Sequence, residues 1–378
     1  MKIDGKTSHN SPSLRFPEFT GEWEECVLGD YGKVVTGNTP PTKDIENYEN
    51  GTYLWASPAD LGTHKLISET KTKLSSKGFT KTRPLSKGSV LVTCIGSTIG
   101  KTGMATREMS TNQQINSIVV NENNDNEFVY YVVQSAFPHY LSSIAVQAVP
   151  IISKSSFELL PSKRPSLQEQ NKIGKFLSLL DERISTQHRL IDRLQSLMKG
   201  IRHRIINKAK GKIVCLCEVS DIYQPQTISS ADLTETGYPV YGANGIIGHY
   251  TSYNHEAEQV CITCRGNTCG GVNYTKSKSW ITGNAMVVNV DRYQNIVSKR
   301  YLYHYLSNCD FNSIISGSGQ PQIVRAPLAK FKIILPTVMQ QYKIAHCLDV
   351  IQNKINVNSN ILNLLIRQKQ YLLRKMFI

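Results

Sequence analysis

The sequence predicts an α+β protein in which two tandem strand-rich domains are separated by two long antiparallel helices that form a coiled coil, giving a pseudo-twofold arrangement. Three observations predict it. A heptad seam lies near the middle of the chain, a second one closes the C-terminus, and one set of short strand-like motifs precedes each.

In the central seam, Ile173, Leu177, Leu180, Ile184, Ile191, Leu194, Met198, Ile201 and Ile205 fall in alternating steps of four and three residues, with one polar interruption at Gln187. This spacing keeps an apolar stripe on one side of a helix. Pro165 and Ser166-Leu-Gln-Glu169 predict its start, the serine capping free amides and the glutamate reaching back to the cap's own amide. Lys208, Lys210 and Gly211 predict its end, with cations at the negative pole and a glycine to leave the helix.

The same device recurs at a constant offset of 171 residues, from Ile173 to Ile344. Thr337-Val-Met-Gln340 repeats the capping box, and Ile344, Leu348, Ile351, Ile355, Asn358, Leu362, Leu365, Lys369, Leu372 and Met376 repeat the alternation, Asn358 standing where Gln187 stands. So narrow a stripe needs a partner helix, and the most economical partner is the other copy.

Between the helices the chain divides as a polar arm over residues 1–20, a first domain over 21–165, the central helix over 166–210, a second domain over 211–336 and the C-terminal helix over 337–378. The arm carries Ser8, Asn10, Ser11, Pro12 and Pro17, with little to bury, and is expected to be flexible. The domains are copies of one scaffold. Val92-Thr-Cys-Ile-Gly-Ser-Thr-Ile-Gly100 matches Ile262-Thr-Cys-Arg-Gly-Asn-Thr-Cys-Gly270, Asn116-Ser-Ile-Val-Val-Asn121 matches Asn284-Ala-Met-Val-Val-Asn289, and Phe128-Val-Tyr130 matches Tyr301-Leu-Tyr303. The offset shrinks along the domain, so the first copy carries extra residues around Asn47 to Thr63. A duplicated scaffold with unlike loops suits equivalent surfaces that recognise different things.

Forty-three Lys and Arg against twenty-nine Asp and Glu leave a formal charge of +14, usual for a nucleic-acid binder and uncommon for a metabolic enzyme. The first residues lack an apolar leader and no run is long enough to span a membrane, so the expectation is a cytoplasmic protein without a membrane partner. Its nine cysteines then read as reduced thiols.

The pattern resembles the specificity subunit of type I restriction–modification systems. The resemblance rests on Lys87-Gly-Ser-Val-Leu-Val-Thr-Cys-Ile-Gly-Ser-Thr-Ile-Gly-Lys101, Gly317-Ser-Gly-Gln-Pro-Gln322, Leu335-Pro336 and the helix opening Gln340-Gln-Tyr-Lys-Ile344, with Gln168-Glu-Gln-Asn-Lys-Ile173 as its first copy. It implies two target recognition domains, each reading half of a bipartite double-stranded DNA sequence, spaced by helices that also dock two modification (methyltransferase) subunits. It further implies that this chain is non-catalytic and binds no cofactor. S-adenosylmethionine, ATP and Mg are expected on partner subunits, among them the restriction (motor and nuclease) subunits. One departure is that the first copy has Ala145-Val-Gln-Ala-Val-Pro150 where the second has the Gly317 run.

Other chemistries fit less well. Gly96-Ser-Thr-Ile-Gly-Lys-Thr102 is one residue short of a P-loop, which favours a strand-turn-strand. Asn38-Thr-Pro-Pro41 imitates an amino-methyltransferase loop only if Thr39 is ignored, and a nuclease site built from Asp60, Glu69 and Lys71 has no second copy. Cys261, Cys264 and Cys269 lack a fourth zinc ligand and read as strand cysteines in a core. Tyr130, Tyr131, Tyr301, Tyr303 and Tyr305 read as helix packing rather than base-stacking platforms. The two other functions that stay open are a self-contained DNA-modifying or DNA-cleaving enzyme and a non-specific DNA scaffold.

Candidate DNA contacts are Lys65, Lys71, Lys73, Lys77, Lys81, Arg83, Lys87 and Lys101 in the first domain, and Arg265, Asn267, Lys276, Lys278 and Arg325 in the second. Basic groups beside amide side chains suit phosphate and base-edge binding. Lys199, Arg202, Arg204, Lys208 and Lys210 on the central helix are also placed to meet phosphate or to keep the bundle soluble.

Overall fold

The computed structural model describes residues 10–143, 151–317 and 319–377. They form two compact units: one holds the chain to Gln187 together with Ile361–Ile378, the other His188–Asn360.

In the first unit the central sheet has strand order Gly32–Thr36, Ile115–Val120, Val90–Thr93, Thr102–Ala105, Leu66–Ile67. The first three junctions are antiparallel and the last is parallel. In the second unit the order is Asp221–Tyr223, Ala285–Asn289, Val260–Thr263, Val272–Tyr274, all antiparallel. These four repeat the first four of the other sheet. The fifth strand, Leu66–Ile67, follows the stretch where the first copy has its extra residues. Each unit adds a three-stranded sheet of matching order, Thr72–Leu74, Tyr53–Ala56, Ser110–Thr111 in one and Gly245–Tyr250, Tyr238–Gly242, Trp280–Ile281 in the other. In each unit an antiparallel pair ties the domain's two ends together: Glu24–Val27 with Pro161–Arg164, and Lys212–Cys215 with Lys332–Leu335.

The strands form because their buried faces are Val- and Ile-rich; Val90, Leu91, Val92 and Ile118, like Val260, Ile262 and Val288, are fully buried. One helix, Asn126–Ser143 or Lys299–Leu306, packs against each sheet and is wrapped by the core.

The long helices run over Leu167–Lys208 and Val338–Met376. Thr337 and Gln340 close their capping box in both directions, at 3.4 Å and 3.2 Å. At the first helix only half the box forms. Ser166 Oγ accepts the Glu169 amide at 3.4 Å, but the Glu169 carboxylate turns instead to Arg15, at 2.7 Å, and to the Trp23 indole. A guanidinium is a stronger donor than a backbone amide, so it takes the carboxylate.

That contact corrects the expectation of a flexible arm for residues 10–20. Besides the Arg15 bond, Leu14 donates to the Lys375 carbonyl at 2.8 Å, the Trp23 amide bonds Asn10, and Phe16 packs edge-on against Phe176.

Within the first unit, Ile173 and Leu177 share a core with Leu372 and Met376, Leu180 packs against it, and Asp181 pairs with Lys369. Within the second, Ile206 shares a core with Ala345, while Met198 packs with Leu348 and Ile355, flanked by Leu194, Ile201, Ile205, Ile344 and Ile351. In each unit higher numbers on one helix meet lower numbers on the other, so the helices are antiparallel. Ile191, Leu362 and Leu365 are buried; Ile184 and Asn358 are half-buried.

Candidate nucleic-acid interface

Each central sheet ends in the same glycine turn. Gly96 and Gly100 have φ of 94° and 88°, Gly266 and Gly270 of 87° and 89°, a region that residues with a Cβ rarely adopt. The Gly100 amide donates to Thr93 and the Thr93 amide to Lys101, both at 2.9 Å; Gly270 to Thr263 and Thr263 to Gly271 repeat this at 2.9 and 2.8 Å. The turn joins strand Val90–Thr93 directly to Thr102–Ala105, so the strand-turn-strand reading holds. The tips, Ser97-Thr98 and Asn267-Thr268, point away from the core with Ser97, Asn267 and Thr268 exposed.

Three further loops meet each turn. In the first unit Cys94 takes the Gln114 carbonyl at 2.8 Å and gives its own carbonyl to Ile152 at 2.8 Å, while Gly37 and Asn38 bond Ile115 and Thr111. In the second, Cys264 takes Asn284 and gives to Ile323, both at 3.0 Å, Gly266 bonds Pro321 at 3.0 Å, and Gln224 donates to Gly283 at 3.0 Å. Pro321 and Gln322, the end of the second copy's Gly317 run, thus lie against the glycine turn; the first-copy counterpart, Ala145–Pro150, lies outside the described residues.

The structure sorts the basic candidates. Lys65 is withdrawn from any surface: its ammonium donates to Glu127, to Tyr131 at 3.0 Å and to Ser178 at 3.2 Å, with the side chain 11% exposed. Lys73 pairs with Glu69 at 2.6 Å, and the Lys77 and Lys81 ammoniums face Asp44, Glu46 and Asn47. The Lys81 hydrogen bond pulls the Asp44 carboxyl below its usual range, and Lys73 does the same to Glu69. Much of the positive crowd in the first domain is therefore locally neutralised.

Arg83 is brought to the loop cluster. Its guanidinium donates to the Thr36 carbonyl at 2.8 Å and its amide to Asn38 Oδ1 at 3.1 Å. Lys101 stands exposed at the foot of the turn, its stem lying over Gly62. Arg265 and Asn267 stand exposed on the second turn. Lys87, Lys276 and Lys278 are exposed but sit at the other ends of the strands, Lys278 lying 3.9 Å from Glu256. Lys71 and Arg325 are exposed away from both turns.

Reading basic residues alone missed the amides that crowd these turns. Asn38, Gln113 and Gln114 do so in the first unit, with the Thr39 hydroxyl on Gln113, and Gln224, Asn284 and Gln322 in the second. Their adjacency to the repeated motifs was the signal that could have found them.

The chain matches the family described as Type I restriction modification DNA specificity domain twice, over residues 20–196 and 210–367. It belongs to that family. Among its relatives, the EcoprrI specificity subunit of Escherichia coli is 24% identical over 353 residues, which cover 87% of each chain. The MjaVIII specificity subunit of Methanocaldococcus jannaschii is 23% identical over 396 residues, covering 91% of this chain and 88% of that one. The fold is that of the S subunit from M. genitalium, with a TM-score of 0.69 and 17% identity over 97% of this chain and 99% of that one. A chain from a structure of type I R-M complex assembly and conformational transition gives 0.56 at 18% identity, over 94% and 97%.

As a type I specificity subunit, the protein contributes recognition and not catalysis, and the residues that imitated other chemistries have structural work in the fold. Asp60 caps the Ser57 turn and accepts the Lys71 amide at 2.8 Å. Asn38 bridges Lys81 and Arg83. Cys94, Cys261 and Cys264 are buried in the sheets, and burial pushes the Cys94 and Cys261 thiols up to about 12, so both stay protonated. Tyr130, Tyr131, Tyr301 and Tyr305 are buried in the cores and Tyr303 packs against one.

Proposed function

We propose that this specificity subunit reads a bipartite double-stranded DNA target, one half-site per recognition domain, for a multi-subunit methyltransferase and restriction enzyme in the cytoplasm. The observation that carries this is the loop cluster built twice on one sheet topology, with Arg83, Lys101 and amides in one copy and Arg265, Asn267 and different amides in the other. Amide and guanidinium groups are the side chains that match base edges, and the surrounding cations suit phosphates. The two modification subunits dock on the long helices and bring S-adenosylmethionine; restriction subunits bring ATP and Mg.

On this reading the helices also set the unspecified spacer. Forty-two residues give the first helix a length of about 63 Å, roughly two turns of duplex DNA. Exchanging residues 211–336 for those of a related chain and mapping methylated bases tests the division of labour: one half-site changes and the other stays. Both changing together would overturn it. Inserting seven residues into both helices lengthens the rod by about 10 Å while keeping the seam in register, so the mapped spacer grows by about three base pairs. An active variant with the original spacer would show that the helices are not the ruler.

A further inference from the structure

One residue on each long helix is buried, polar and saturated in the same way. Gln170 is 1% exposed and Gln341 is 0% exposed, and they stand at the repeat offset. Gln170 Nε2 donates to the Pro165 carbonyl at 3.0 Å and to Asn124 Oδ1 at 3.2 Å, and its Oε1 accepts the Asp125 amide at 3.1 Å. Gln341 Nε2 donates to the Pro336 carbonyl at 2.9 Å and to the Ile296 carbonyl at 3.0 Å, and its Oε1 accepts the Ser298 amide at 2.8 Å.

Each amide side chain therefore holds the proline bend before its own helix and the loop that starts the recognition domain's helix. Asp125 and Ser298 are the caps of those domain helices, taking the Phe128 amide at 2.7 Å and the Tyr301 amide at 3.4 Å. One turn further along each long helix stands a small residue, Gly174 or Ala345. A Cβ on Gly174 would lie 2.2 Å from Asp125 Oδ1 and 2.9 Å from the Phe128 amide, so the two helices touch there backbone to cap. A side chain with two donors and one acceptor, at that depth, completes every bond in the joint; no apolar replacement can.

We propose that Gln170 and Gln341 are positioning residues, each fixing the angle at which its recognition domain leaves the long helix and so the strictness with which that domain's half-site is read. The inference rests on the proposed division of half-sites. Neither glutamine touches DNA. Each acts through the domain helix, whose displacement carries the sheet and its loop cluster with it.

The test uses the full chain assembled with its modification subunits, on the target mapped for the wild-type complex and on duplexes with one base pair changed in either half-site. Gln341→Met lowers discrimination tenfold or more in the half-site read by residues 211–336 and leaves the other within twofold; Gln170→Met does the converse. Should methionine block assembly, Gln341→Glu and Gln170→Glu, which keep the acceptor and lose both donations, are read by the same ratios, with a shift of threefold or more in the matching half-site. Equal loss in both half-sites, or unchanged ratios in an assembled variant, overturns the proposal. A wild-type complex that discriminates at only one half-site sinks the division of half-sites itself, and is seen before any variant is made.

Discussion

Lys369 Nζ lies 2.7 Å from the carboxylate of Asp181, inside a seam made mostly of apolar side chains, with the two side chains 16% and 18% exposed. The same carboxylate accepts the Tyr131 hydroxyl at 2.6 Å, so one acidic group ties two helices to a recognition domain. At the repeat offset these positions hold Gln352 and Met198, so the ion pair belongs to one copy only. Lys369→Met alone leaves a partly buried carboxylate with a single donor and costs about 1–3 kcal/mol, whereas Asp181→Gln with Lys369→Met reproduces the other copy and costs less than the single change. Urea unfolding of Lys369→Met, Asp181→Gln and the double variant checks this. A double variant as unstable as the sum of its singles would show that the pair is not coupled.

Acid weakens the second unit through His304. The ring is fully buried, and Nε2 sits 2.7 Å from Asp349. Burial depresses its pKa to about 4, against the opposing pull of Asp349, so the folded protein keeps the imidazole neutral where the unfolded chain, near 6.5, takes a proton. The unfolded state thus binds more protons in that window. Stability from this group is complete above about pH 6.5 and falls as pH drops toward 4, by up to about 3 kcal/mol. His304→Gln flattens the slope of thermal stability between pH 6.5 and 4. An unchanged slope would assign the acid sensitivity elsewhere.

The two glycine turns differ in what lies beside them. An alanine Cβ at Gly100 would come within 2.9 Å of the Phe137 ring, while at Gly270 the nearest atom is Phe311 Cβ at 3.5 Å. Both substitutions force a left-handed backbone on alanine, at about 1 kcal/mol, but only Gly100→Ala must also move a buried ring, at roughly 1–2 kcal/mol more. Denaturant midpoints of the two variants rank them, and equal losses would show that Phe137 yields freely.

The parts visible in the sequence are those governed by local periodicity or by repetition. The four-three alternation depends only on neighbours one turn apart, and the Gly96 and Gly266 turns were marked by occurring twice. What stayed hidden depends on partners far along the chain. Glu169 departs from its capping role because Arg15 arrives from 154 residues away, and the same contact pins a segment whose composition reads as loose. Lys65 looked like a surface cation because Glu127 and Ser178, which enclose it, are 62 and 113 residues distant. The interface amides carry no charge to draw notice, and only the sheet brings Asn38 beside Arg83.

Where each recognition domain sits on its own helix, the two copies use opposed chemistry. Glu127, Tyr131 and Ser178 occupy one joint, Arg300, His304 and Asp349 the other, with Arg300 and His304 both on the Asp349 carboxylate. A domain lifted from the second position to the first would bring Arg300 and His304 over Ser178, where the carboxylate that both hold at Asp349 is missing. A graft between the two positions therefore has its crossover beyond Asp181 or Asp349, inside the long helix; one that stops at the proline bend inherits a mismatched joint.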